Sequence, residues 1–107
     1  VGDYLIKLVR DRTDKSLVHD EHDVVYSPVG HTTHVRALRR KLAEEVGEYL
    51  VEPSLDELVD IVEVCEALAR VDMGVSANMF RARKKAKIVG RGGFMKGVGM
   101  FAREVGG

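Results

Sequence analysis

The stretch EEVGEYLVEPSLDELVD, residues 44–60, decides how this chain is read. It holds seven carboxylates and no Lys or Arg. Pro53 divides it, because proline lacks the N–H that a helix interior needs. Before the proline, Val46 and Tyr49 extend an apolar stripe that Val35, Leu38 and Leu42 begin at helical spacing. After it, Leu55, Leu58, Val62, Cys65 and Ala69 fill one side of a second helix. Two amphipathic helices joined this closely are expected to fold back as an antiparallel hairpin.

Working outward, the first helix is expected to start at Thr32 or Thr33, either of which can cap it, and to end near Val51. Ser54 with Glu57 three residues later fits a capping box for the second helix, which runs to about Met73 and stops at Gly74. Ser76 can cap a third helix, from Ala77 to about Val89, ended by Gly90, Gly92 and Gly93. Residues 4–9 (YLIKLV) and 24–27 (VVYS) read as extended arms or as a small hairpin. Between them lies the polar stretch DRTDKSLVHDEHD, and the glycine-rich tail FMKGVGMFAREVGG reads as a loop. The expected fold class is mostly α: three main helices in a single domain over residues 1–107, with a short extended or hairpin N-terminal region. The second helix is apolar around most of its girth. Self-association as a homodimer or homotetramer is therefore expected to complete the bundle.

Composition narrows the function classes. Apolar residues make up 45% of the 107 and charged residues 32%, which is the balance of a globular rather than a disordered chain. No uncharged run approaches membrane-spanning length, so no membrane partner is expected. The N-terminal stretch has no apolar core of a signal peptide, and the lone Cys65 falls in an apolar helical pattern. Both point to the cytoplasm. Seventeen acids balance seventeen bases, but the two signs are segregated. Residues 42–69 hold nine acids and no base, and residues 75–103 hold eight bases and no acid. Such segregation fits two solvated faces that attract each other, or an acidic metal site with a basic rim for phosphate.

Helical geometry sorts the acids. Glu45, Glu48 and Glu52 gather on one flank of the first stripe, where a partner helix approaches, while Glu44 turns away. Glu57 and Asp60 are three apart and share a face with Val64 and Val71, which is expected to be partly buried. Unpaired buried carboxylates are costly and call for protonation or a cation. A hard divalent ion such as Mg2+, or Mn2+, takes oxygen ligands and offsets several charges at once. Carboxylates at this spacing on facing helices are a known way to build such a site. A solvated acidic face without a ligand is the competing reading.

Glu44-Glu45-Val46-Gly47-Glu48 followed by Glu57-Leu58-Val59-Asp60 resembles the E-E-x-x-E and E-x-x-D signature of the all-α nucleoside triphosphate pyrophosphohydrolases. This is the MazG-like superfamily, which includes phosphoribosyl-ATP pyrophosphohydrolase. KLVRDR at residues 7–12 and RGGF at residues 91–94 are similar to stretches of one branch of small MazG-like proteins. The resemblance implies Mg2+-dependent cleavage of a nucleoside triphosphate, or a similar nucleotide, to the monophosphate and pyrophosphate. It implies Glu45, Glu48, Glu57 and Asp60 as metal ligands, and Glu44 and Glu45 as the candidate catalytic carboxylates. Lys7, Arg10, Lys84, Lys85 and Arg91 are the candidates for phosphate binding, with Arg12 and Lys87 beside them. The chain departs from the family in two places. Eight residues separate Glu48 from Glu57, about one helical turn fewer, and Thr13-Asp14-Lys15 stands where the branch has I-P-E.

Other chemistries are poorer fits. His19 and His22 are three apart, as are His31 and His34, yet no third zinc ligand is fixed nearby. The basic third helix suits RNA or DNA by charge, but aromatics are only 6% and offer no stacking platform, which argues against a nucleic-acid partner. A metal- or nucleotide-binding regulatory module without turnover remains the main alternative to the enzyme.

Overall fold

The computed structural model describes residues 4–12 and 24–104. It contains three helices, α1 (His31–Val51), α2 (Leu55–Met73) and α3 (Ala77–Arg91), and no strand among the described residues. Residues 4–9 and 24–27 are irregular and do not pair as a hairpin. Thr13-Asp14-Lys15, His19 and His22 lie outside the described residues.

Local chemistry accounts for most helix ends. The Ser54 hydroxyl accepts from the Glu57 N–H at 3.1 Å, and the Ser76 hydroxyl accepts from the Met79 N–H at 3.2 Å. Gly74 ends α2 in the left-handed region, φ 68°, and its N–H reaches back to the Arg70 carbonyl at 3.0 Å. Two ends differ from expectation. Helix α1 starts after Gly30, with no side-chain cap, so both threonines fall inside its first turn. Helix α3 passes through Gly90 and stops at Gly92, φ 76°. A helix interior tolerates one glycine at about 1 kcal/mol, whereas a positive φ suits glycine far better than other residues.

Helices α1 and α2 form the antiparallel hairpin, joined by residues 52–54. The Arg39 Nη2 donates to Asp72 Oδ2 at 2.9 Å and ties the start of α1 to the end of α2. Among the described elements, α3 packs on α2 and not on α1. Arg81 lies 3.9 Å from Glu66 of α2.

The core is thin. Val35, Ala37, Leu38 and Ala69 are buried, with Leu42 and Tyr49 half-buried, but Val46 of the same stripe is exposed. On α2, Leu55, Leu58, Val59 and Val62 are all exposed. The radius of gyration is 19.4 Å, against roughly 13 Å for a compact chain of this length. One copy of the chain therefore leaves a long apolar face of α2 uncovered. Among the described residues, no helix is long and apolar enough to cross a membrane.

Candidate metal centre

The hairpin sets the register of the acidic residues. Because α1 and α2 run antiparallel, Glu45 on the penultimate turns of α1 meets the first turns of α2. There Glu57 and Asp60, one turn apart, face it. One carboxylate oxygen from each of Glu45, Glu57 and Asp60 lies within 4.8 Å of the others. Glu45 is the one buried charged residue among those described, at 6% exposure. Glu57 and Asp60 are half-buried, as are Val64 and Val71 of the same face.

The charges in the cluster are only partly compensated. The Lys41 Nζ stands 3.3 Å from Glu45 Oε1, one turn away on α1, and 3.8 Å from Glu44. Neither Glu45 Oε2 nor Glu57 Oε2 has a hydrogen-bond partner, although both atoms are buried. An ionised pair of carboxylates has no proton with which to satisfy these oxygens. A proton on one of them would supply the missing donor, and their closeness divides the two groups. Hydrogen bonding to Glu45, burial, and the charges of Glu45, Glu48 and Asp60 push the Glu57 carboxyl up to about 7. Burial pushes Glu45 up, but hydrogen bonds from Glu57 and Lys41 and the Lys41 charge outweigh it and leave Glu45 below its ordinary value. Protonation is one remedy for the cluster. A hard divalent cation is the other, and the three carboxylates could hold one as part of an all-oxygen set completed by water or a ligand.

The remaining expected site residues are placed as follows. Glu48 is exposed and lies outside the close cluster, near enough for its charge to raise Glu57. Glu44 is exposed as well. With Gly47, Glu48, Val51, Glu52, Ser54 and Glu57 it lines an open groove of about 700 Å3 where α1 turns into α2. Arg10 lies on the acidic face of α2, hydrogen-bonded to Asp60 and 2.6 Å from Glu63 Oε2. Lys7 is exposed and lines a small crevice against α1. Lys84, Lys85 and Arg91 are exposed along α3.

Two participants carry weak sequence signals. Lys41 precedes Glu45 by four residues, a spacing that pairs charges on a helix. Glu63 follows Asp60 by three and extends the same acidic face. Comparison with protein-family models, with curated proteins and with solved structures found no match.

Proposed function

We propose that the chain is a Mg2+-dependent nucleotide pyrophosphohydrolase of the MazG-like kind. It cleaves a nucleoside triphosphate, or a nucleotide like phosphoribosyl-ATP, to the monophosphate and pyrophosphate. The observation that supports this reading is the Glu45–Glu57–Asp60 cluster with its buried, unpartnered Glu45 oxygen. These three residues would hold Mg2+ or Mn2+, with Glu48 beside them. The ion supplies charge neutralisation on phosphate oxygens and a more acidic water. Glu44 and Glu48 line the neighbouring groove, and in this reading one of them accepts the proton of the attacking water. A groove walled by carboxylates repels a polyphosphate until a cation offsets them, so metal and nucleotide bind together. Lys84, Lys85 and Arg91 neutralise phosphate charge from α3.

In this reading the uncovered apolar face of α2 packs on a second copy. Light scattering at micromolar concentration is expected to report a dimer or tetramer, and a monomer would remove that part of the proposal. The enzymatic reading is tested by a screen of nucleoside triphosphates and phosphoribosyl-ATP, with and without Mg2+, scored by pyrophosphate release. Release that needs Mg2+ and disappears in Asp60→Asn is the expected result. Binding of metal and nucleotide without release would make the protein a regulatory module instead.

A further inference from the structure

The N-terminal segment crosses the hairpin at its acidic face. Residues 5–8 border a crevice of about 40 Å3 whose other wall is Ala37, Arg40, Lys41 and Glu44 of α1. Two residues further on, the Arg10 guanidinium reaches α2, where it bonds Asp60 and Glu63. The segment therefore touches α1 with its body and α2 with its charged tip. Asp60 belongs to the Glu45–Glu57–Asp60 cluster as well. One carboxylate thus serves both the candidate metal centre and the arginine.

We infer that Arg10 is a built-in competitor cation that sets the divalent-metal affinity of the cluster through Asp60. The inference rests on the metal reading of that cluster. The chemistry follows from charge and shape. A guanidinium carries one positive charge spread over a planar fork and pairs well with two neighbouring carboxylates. It cannot lose its charge at any working pH. A divalent ion concentrates twice that charge on oxygens at about 2.1–2.5 Å and draws Asp60 away from the fork. A singly charged ion from the buffer has no such advantage over the arginine. Arg10 therefore lowers affinity for every added cation and makes the cluster selective for those with higher charge. Glu63 lies outside the cluster and holds the guanidinium close when Asp60 turns to the metal.

The test is Mn2+ titration by calorimetry on the wild-type chain, Arg10→Gln and Arg10→Lys, each checked for helix content by circular dichroism. Arg10→Gln is expected to bind Mn2+ about twofold to tenfold more tightly, the scale of one or two exposed ion pairs. The gap is expected to shrink as salt is raised from about 0.05 M to about 0.5 M, because screening weakens the exposed contact. Arg10→Lys retains the charge but loses the planar fork, and is expected to fall between wild type and Arg10→Gln. Equal affinity for wild type and Arg10→Gln, or weaker binding by Arg10→Gln, overturns the inference and leaves the metal centre standing. No Mn2+ binding by any of the three proteins removes the metal centre and the inference with it.

Discussion

Residues 42–69 of the α1–α2 hairpin and residues 75–103 of α3 and its tail carry opposite charges at similar density, and the structure treats them in opposite ways. The hairpin turns three of its acids toward one another, buries one of them and leaves buried oxygens without partners. Helix α3 and the tail after it keep all their bases exposed. Their electrostatic costs differ accordingly. A solvated lysine face costs little because water screens it, whereas converging carboxylates demand a proton or a cation. Charge density by itself is therefore a poor guide to a site. Convergence with burial is the informative feature, and of these two regions, among the described residues, the hairpin has it.

The largest expected effect breaks the hairpin side of this comparison. Asp60→Asn keeps the shape of the side chain and removes its negative charge. Mn2+ affinity and turnover are both expected to fall at least about 100-fold, the upper range seen for residues that orient metal ligands. Calorimetry and steady-state kinetics check this, and unchanged Mn2+ binding would take Asp60 out of the site.

The next effect tests whether α3 is more than a solvated face. Lys84→Ala with Lys85→Ala removes two point charges that act on phosphate in both ground and transition states. KM is expected to rise about tenfold with kcat little changed. If both constants match wild type while circular dichroism shows a folded protein, Lys84 and Lys85 have no role in nucleotide binding.

A smaller effect follows from the raised Glu57 carboxyl. The folded state binds the Glu57 proton more tightly than the unfolded chain, because its carboxyl sits at about 7 rather than 4.5. The stability from this group is complete below about pH 4.5 and is lost as pH rises to about 7. Glu45 is shifted down, so its contribution has the opposite sign and changes only at more acid pH. A divalent cation competes with the Glu57 proton and binds better across the same window. The Tm gain from Mg2+ is expected to be slight near about pH 5.5 and to reach a few degrees near about pH 8. A gain that is constant with pH would separate Glu57 from the metal.

The smallest effect concerns Gly47, inside α1 and on the wall of the groove. A Cβ there would meet no atom within 4 Å. Gly47→Ala is therefore expected to stabilise the chain by about 1 kcal/mol from helix propensity, a rise of a few degrees in Tm. The added methyl narrows the groove, so KM for the nucleotide is expected to rise a few-fold. A more stable variant with unchanged KM would place the nucleotide elsewhere.

The amino-acid sequence alone determined the helices. Ser54, Gly74 and Ser76 act on backbone groups within a few residues, so capping chemistry marks those ends without reference to the rest of the fold. Where local signals competed, as with Gly30 against two threonines or Gly90 against Gly92, the written pattern did not separate them. The hairpin was legible too, because a short link between two amphipathic helices leaves little choice of direction. Tertiary structure decided which acids converge. Periodicity groups Glu45 with Glu48, but the register and crossing of the two helices brought Glu45 to Glu57 and Asp60 and left Glu48 exposed at the rim. Tertiary structure also brought Arg10 to Asp60, fifty positions away. No local rule reaches that far. Such a pair depends on the tertiary arrangement that lays the N-terminal segment against the hairpin.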